Sequence, residues 1–163
     1  MIAIRRATAA DFAGIWPIIR GVFAQGTTYS FAPDLSPAEG RRLWLELPLA
    51  TYVAEEDGRI VGTYFLKPNQ PGLGSHVANA GYAVAPDARG QGIGQTLCRH
   101  SLAEAKALGF KAMQFNFVVS TNEIAVRLWQ ECGFHIAGRL EKAFNHREQG
   151  YVDVYVMYQW LGD

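Results

Sequence analysis

A glycine-rich segment between a strand pattern and a long helix pattern constrains this chain more than any other feature. It runs from Val84 to Gln95 and reads VAPDARGQGIGQ. The helix that follows offers a sheet an apolar face, formed by Ile93, Leu97, Ser101, Ala105 and Leu108. Glycines let the backbone approach a ligand closely, and a helix N-terminus carries roughly half a positive charge. The segment therefore predicts an anion site, for which a pyrophosphate is the natural occupant.

Two other nucleotide-binding loops match the segment poorly. A dinucleotide-binding fold requires G-x-G-x-x-G and an acid at the end of the next strand. Here the glycines are Gly90, Gly92 and Gly94, and Gln95 stands where the third glycine of that motif belongs. A P-loop requires Gly-Lys-Ser/Thr, which the segment lacks. A glycine-rich connection without a ligand is the remaining alternative.

Strand and helix patterns alternate along the chain. Strands are predicted at 1–6, 52–56, 60–66, 76–84, 112–119, 134–143 and 151–160; helices are predicted after Thr8, at 36–48, from the glycine loop to about 108, and at 122–132. Pro17 predicts a bend in the first helix or a start later than Thr8, and Asp57-Gly58 predicts a hairpin. The last strand alternates so that one face carries Val152, Val154, Val156, Tyr158 and Trp160. This order favours an α/β (α+β) fold around one mixed sheet, with residues 1–163 forming a single domain.

Composition narrows the classes of function. Of the 163 residues, 49% are apolar and 18% charged, as in an ordinary folded domain. The formal net charge is +0, and the absence of a basic run gives no reason to expect a nucleic-acid partner. The four histidines lack metal-ligand spacing, and Cys98 and Cys132 are expected to be reduced thiols packed in helices. Without a leader pattern or an apolar run of ~20 residues, a cytoplasmic location and no membrane contact are expected.

Two motifs together resemble a known family. Arg89-x-x-Gly92-x-Gly94 follows a strand that ends in valine, with a proline between, and Asn122-Glu-Ile-Ala-Val-Arg-Leu-Trp129 precedes Gly133-Phe134. This combination resembles the GNAT superfamily of N-acetyltransferases. The resemblance implies a mixed, mostly antiparallel twisted sheet of about seven strands with about four helices. It also implies acetyl-CoA as cosubstrate, no metal, and a homodimer as one expected state.

The resemblance also implies roles for individual residues. Backbone N–H groups of the segment 91–95 would hold the CoA pyrophosphate, and Asn122 would bond the pantetheine arm, although an asparagine there is equally suited to cap a helix. The full set implied for acetyl-CoA is Tyr82, Val84, Arg89, Gly90, Gln91, Gly92, Ile93, Gly94, Gln95 and Asn122. Trp129 departs from the family, since many members have a tyrosine there to protonate the leaving thiolate, and an indole is not a usable acid.

Two asparagines interrupt otherwise apolar strands, at Asn79 and Asn116. A buried amide without partners costs about 1–3 kcal/mol, so each is expected either to be satisfied within the core or to line a substrate site. A closer resemblance covers about 64–139 and is carried by Lys67-Pro68-Asn69, Pro71-Gly72, Ser75-His76, Asn79-Ala80-Gly81, Phe115-Asn116, Arg127-Leu128-Trp129 and Ala137-Gly138-Arg139. These motifs look like those of fungal N-acetyltransferases that detoxify proline analogues such as azetidine-2-carboxylate. By this resemblance Asn79 and Asn116 are catalytic and substrate-binding, with Phe117 beside them.

The expected reaction is direct acetyl transfer to a small amine in a ternary complex. A backbone N–H between Tyr82 and Val84 would polarise the thioester carbonyl, and the amine proton would leave through water because no base is evident. A covalent acetyl-cysteine on Cys98 or Cys132 is the less favoured route. Three other functions stay open: acetylation of an amine antibiotic, acetylation of a protein amine, and a non-catalytic acyl-CoA-binding module.

Overall fold

The computed structural model describes residues 1–162, and in them seven strands form one mixed sheet. The strands are β1 Ala3–Arg6, β2 Ala50–Glu56, β3 Arg59–Pro68, β4 Val77–Val84, β5 Ala112–Val119, β6 His135–His146 and β7 Gly150–Trp160. The four α-helices of this range are α1 Phe12–Gln25, α2 Pro37–Arg41, α3 Ile93–Ala107 and α4 Glu123–Glu131. The strand order is β1-β2-β3-β4-β5-β7-β6. The fold class predicted from the sequence is therefore confirmed.

The two central strands, β4 and β5, diverge soon after they meet. They pair in parallel at only two positions, Val77 with Ala112 and Ala78 with Met113, whereas the other neighbouring strands pair in antiparallel fashion. Just past the last pair, the Asn79 side chain bridges the two strands by donating Nδ2–H to the Gln114 carbonyl at 2.9 Å. Beyond this bridge a gap opens between β4 and β5.

Helices cover both faces of the sheet beside this gap. Tyr64 on β3 bonds His100 of α3 at 2.7 Å, while the next residue, Phe65, packs edge-on against Trp44 with ring centroids 4.9 Å apart. Because successive side chains of a strand point to opposite faces, α3 lies on one face and α1 with the Trp44 segment on the other. Gly62 lets α3 pack closely on β3, since a Cβ there would come within 3.1 Å of both Ile93 and Leu97.

Several boundaries differ from those predicted. The α-helix α1 begins at Phe12, after a 3-10 turn at Ala9–Asp11, so the start later than Thr8 is confirmed. The helix predicted at 36–48 is α-helical only over Pro37–Arg41 and continues as a π-helical turn at Arg42–Glu46. Strand β6 runs on to His146, past the predicted end at 143, because its pairing with β7 resumes at Phe144. Just before, Lys142 adopts a positive φ of 52° and its N–H bonds the Asp153 carboxylate at 3.0 Å. That local kink interrupts the ladder without ending the strand.

Both faces of β7 carry buried side chains. Val154 is fully buried in a small cluster with Val119 and Phe144, as its alternation predicts. Met157, an odd number of residues away, is equally buried in the main core, whereas Trp160, on the predicted face, is exposed. The alternation therefore predicted which side chains share a face of β7, but it did not predict which of the two faces packs against the main core.

The turn between β2 and β3 has the predicted form. The hairpin at Asp57-Gly58 is confirmed, with Glu56 opposite Arg59 and φ values of 52° and 75° at the two turn residues. Over residues 1–162, no helix is both long and apolar enough to cross a membrane.

Candidate active site

The glycine loop presents bare backbone at the start of α3. Gly90 and Gly92 have φ values of 77° and 78°, which side chains other than glycine rarely adopt, and Gly92 is the N-cap. The N–H groups of the first turn, from Ile93 to Gln95, have no partner within the helix. The loop's acid, Asp87, pairs with Arg59 at 3.0 Å, so it does not oppose an anion. The loop can therefore hold a phosphate group through its backbone.

A single cleft of about 650 Å³ begins beside this loop and passes through the gap between β4 and β5. Arg89, Gly94 and Asn122 line one end of it. Most of the residues predicted from the sequence lie along it together: Asn79, Tyr82, Val84, Arg89, Gly94, Asn116, Phe117 and Asn122. The others are on the adjoining loop and first turn: Gly90, Gln91, Gly92, Ile93 and Gln95. Ile93 has its side chain buried in the core, so only its backbone faces the loop.

The middle of the cleft is formed by β4 and by the loop that follows α1. The Tyr29 hydroxyl donates to the Tyr82 carbonyl at 2.7 Å and accepts from the Tyr82 N–H at 2.8 Å. Burial raises the pKa of Tyr29 well above its ordinary value, so the phenol stays protonated. Backbone N–H groups of successive residues in a strand point to opposite sides. Because the Ala85 N–H bonds β3, the Val84 N–H points away from β3, as the Tyr82 N–H does.

The far end of the cleft is polar. Asn79 is half-buried, and its Nδ2 bonds the Gln114 carbonyl, which leaves Oδ1 as the acceptor atom of the side chain. Asn116 is exposed and stands in a chain of amides, accepting from Gln114 at 2.9 Å and donating to Asn69 at 2.6 Å. Asn116 is not a core amide, because β5 bulges at Asn116 and Phe117, where two residues face one on β7. The bulge turns this part of β5 toward the cleft.

Helix α4 brings Asn122 and Trp129 to the cleft. The Asn122 side chain caps the helix by accepting from the Ala125 N–H at 3.4 Å, and α4 lies so close to α3 that a Cβ at Gly94 would be 3.2 Å from Leu128. The Trp129 ring packs against Tyr82 and Phe115, each 4.9 Å away between ring centroids. Trp129 therefore forms an apolar wall beside the gap.

The cysteines offer no ready nucleophile. Cys98 and Cys132 are both buried and unbridged, as expected. Burial and the neighbouring Cys132 raise the pKa of the Cys98 thiol, which opposes formation of a thiolate. Among the described residues that line the cleft, none is Asp, Glu or His, and no three potential metal-ligating side chains of residues 1–162 come together.

Three residues that shape the site had no individual role assigned from the sequence: Tyr29, Phe65 and Lys67. All three line the cleft. The aromatic segments 28–31 and 64–65 are of a kind suited to closing over a small molecule, but nothing in them predicts a bond between Tyr29 and Tyr82. Lys67 is part of the Lys67-Pro68-Asn69 motif, for which the resemblance implies no role.

Comparison with known proteins agrees with this geometry. The model of the acetyltransferase (GNAT) family matches residues 17–134. The chain is 39% identical over 113 residues to the N-acetyltransferase aca1 of Schizosaccharomyces pombe, covering 69% of this chain and 54% of that protein. It is also 39% identical over 120 residues to the amino-acid acetyltransferase of Ralstonia nicotianae, a match that covers 72% of this chain and 23% of that protein. The chain thus spans about half, or less, of the length of these curated relatives.

A solved structure extends the similarity to nearly the whole chain. It is a GCN5-related N-acetyltransferase from Kribbella flavida, which is 41% identical, with a TM-score of 0.93 and coverage of 98% of this chain and 97% of that one. The resemblance to a fungal N-acetyltransferase is confirmed by the similarity to aca1. On this evidence, the chain belongs to the acetyltransferase (GNAT) family.

Proposed function

We propose that the chain transfers the acetyl group of acetyl-CoA to a small amine, most favourably a proline analogue or another amino acid, by direct transfer in a ternary complex. The observation that carries the proposal is the single cleft that joins the glycine loop to the polar pair Asn79 and Asn116 through the β4–β5 gap. A cosubstrate held at one end can meet an acceptor at the other. The similarity to an amino-acid acetyltransferase supports the acceptor class.

The residues present suit acetyl-CoA. The N–H groups of the first turn of α3 and Arg89 would bind the pyrophosphate, and Asn122 would bond the pantetheine while it caps α4. The Tyr82 and Val84 N–H groups point into the gap, where they would bond the pantetheine amides and the thioester carbonyl. Acetyl-CoA supplies the acetyl group as a thioester, whose carbonyl carbon bonds the amine nitrogen while its sulfur leaves with the electron pair.

Asn79 and Asn116 would orient the acceptor. The free Oδ1 of Asn79 can accept an N–H of the amine. Asn116 uses one amide hydrogen for Asn69 and one lone pair for Gln114, so one of each remains for the acceptor. These contacts hold the nitrogen against the thioester and lower the barrier by positioning.

Protons would move through water. No carboxylate or imidazole stands among the described residues of the cleft, so the amine loses its proton to solvent. Trp129 cannot protonate the thiolate, which would leave as an anion and take its proton from water. This arrangement needs an acceptor that is partly neutral at the working pH.

The test is acetyl-CoA-dependent thiol release with a panel of amines: azetidine-2-carboxylate, cis-4-hydroxyproline, proline, primary amino acids, an amine antibiotic and a lysine peptide. Release confined to imino or amino acids is expected. Release with only the antibiotic or the peptide would refute the acceptor class, and thermal stabilisation by acetyl-CoA without release would indicate a binding module.

Mutation then tests the polar pair. Asn116→Ala should lower turnover by one to two orders of magnitude with little effect on acetyl-CoA affinity, and Asn145→Ala, an exposed asparagine on β6, serves as control. Turnover at the wild-type rate in Asn116→Ala would end the assignment.

A homodimer remains a second part of the proposal. Strand β6 lies at the edge of the sheet, and its exposed Ile136 and Leu140 side chains offer apolar contact. Sedimentation velocity of the wild type and of a double variant, Ile136→Lys with Leu140→Lys, tests it: a dimer that survives both charges would exclude this edge.

A further inference from the structure

We propose that Lys67 binds a carboxylate of the acceptor, so that the enzyme selects amines that carry an acid group next to the reacting nitrogen. This inference rests on the proposed function and assigns its specificity to one side chain. Lys67 is half-buried on β3 and lines the far end of the cleft. Its Nζ lies 5.6 Å from the centroid of the Phe65 ring, on the side of the sheet that faces the Tyr29 loop.

Backbone packing holds Lys67 in this place. Phe65 is buried, and its ring lies across Gly81 on β4, where a Cβ would come within 2.5 Å of it. Because Gly81 has no side chain, the Phe65 ring has room to pack against β4 beneath Lys67. The cation over the ring is held by the attraction between an ammonium and an aromatic face. The ammonium group thus lies over the Phe65 ring at the wall of the cleft.

The charge of the cleft favours an anion at this end. Lys67 forms no salt bridge with the described part of the chain, and the described lining residues include no acid. The other cation of the lining is Arg89, which follows the end of β4 at Val84. Val84 is about 17 Å along the strand from Asn79, at ~3.3 Å per residue. Arg89 is therefore available to the phosphates, and Lys67 to the acceptor.

The register places the acid site beside the amine site. Lys67 and Asn79 are paired directly across β3 and β4, and side chains of such pairs start about 5 Å apart. An α-amino acid carries its nitrogen and its carboxylate on the same carbon, so one molecule can reach both side chains. A carboxylate on Lys67 brings the amine to the free oxygen of Asn79. Lys67 is accordingly a positioning residue that sets specificity.

The same charge excludes other acceptors. A polyamine, a polycationic antibiotic or a lysine-rich peptide would bring positive charge against Lys67 without any carboxylate in the described lining to offset it. Like charges at close range disfavour binding. The cleft therefore separates the acceptor classes that the sequence left open.

Matched acceptor pairs test the proposal: each amino acid against its primary amide, which keeps the amine and the shape and removes the charge. The variants are Lys67→Met, which keeps an apolar stem over Phe65, and Lys67→Arg, which keeps the charge; Lys106→Met on the exposed side of α3 is the control. We expect Lys67→Met to raise the acceptor KM about ten- to a hundredfold for the acid and not for the amide, as for loss of a charge-assisted bond. KM for acetyl-CoA should stay unchanged, and Lys67→Arg should restore most of the preference for the acid.

A second readout does not depend on turnover. Calorimetry measures binding of the amino acid to each variant in saturating CoA, and wild type should bind at least tenfold more tightly than Lys67→Met. Equal binding, no binding by wild type, or an equal loss for acid and amide would overturn the role of Lys67. If wild type acetylates only uncharged or cationic amines, the carboxylate site is wrong while acetyl transfer stands. If it binds the acid through Lys67 but transfers nothing, the proposed reaction fails instead.

Discussion

The hydroxyl of Tyr29 satisfies both backbone polar groups of Tyr82, at 2.7 Å from the carbonyl oxygen and 2.8 Å from the nitrogen. In an unbroken sheet, the neighbouring strand would fill both positions. Here β5 has already diverged from β4, so a loop side chain replaces the missing strand. The same N–H would be needed to bond the pantetheine or the thioester carbonyl, so acetyl-CoA and the Tyr29 hydroxyl compete for it.

Tyr29→Phe should therefore destabilise the protein chiefly when acetyl-CoA is absent. An unpaired buried N–H or C=O costs about 1–3 kcal/mol, which should lower the thermal midpoint by about 3–10 °C for a chain of this size. Acetyl-CoA replaces the lost partner, so the rise in midpoint upon adding acetyl-CoA should be larger in Tyr29→Phe than in wild type. Differential scanning fluorimetry measures both, with the exposed Tyr151→Phe as control. Equal rises in the two proteins would show that the hydroxyl and the cosubstrate do not compete.

The pH dependence of catalysis should follow the acceptor rather than the enzyme. With no acid or imidazole among the described cleft residues, only the acceptor amine needs to lose a proton, and burial keeps Tyr29 protonated by raising its pKa. The logarithm of kcat/KM for the acceptor should rise with unit slope up to the pKa of each amine. An inflection near pH 6–7 that is common to acceptors of different basicity would reveal an enzymic base.

Asn122 combines two roles that substitution can separate. Serine also caps helices well, so Asn122→Ser should leave the thermal midpoint within about 2 °C of wild type, whereas Asn122→Ala should lower it through the loss of about 1 kcal/mol. If the amide also bonds the pantetheine, both variants should raise KM for acetyl-CoA about tenfold. If KM for acetyl-CoA is unchanged in Asn122→Ser, Asn122 acts only as a helix cap and does not bind the pantetheine.

Two helical glycines should respond oppositely to alanine. Gly21 in α1 has no atom within 4 Å of an added Cβ, so Gly21→Ala should stabilise by about 0.5–1 kcal/mol. Gly40 in α2 would place that Cβ 2.4 Å from the Trp16 ring, and Gly40→Ala should destabilise by about 1–3 kcal/mol. Urea unfolding of both variants measures the free energies. A stabilised Gly40→Ala would show that the Trp16 ring moves aside freely.

Features that depend on neighbours in the chain could be predicted from the sequence. The glycine loop, the Asn122 cap and the Asp57-Gly58 hairpin each require a backbone conformation or a bond that spans about three residues, as between Asn122 and Ala125. The residue types at such spacings favour one local geometry over others. For the same reason the sequence indicated the order of strands and helices. The residues of the candidate cleft outside the glycine loop were expected from the family resemblance and not from local spacing.

The way in which these parts meet depends on contacts between residues that are far apart in the sequence. Tyr29 reaches Tyr82 across 53 residues of sequence, and Lys67 faces Asn79 because of the β3–β4 register. The divergence of β4 from β5 and the bulge at Asn116 and Phe117 depend on pairing with strands far along the chain. The local elements and the anion loop follow from the sequence alone, because the interactions that form them lie within a few residues. The cleft, its closing tyrosine and its lysine were decided by packing between distant segments, which no local pattern encodes.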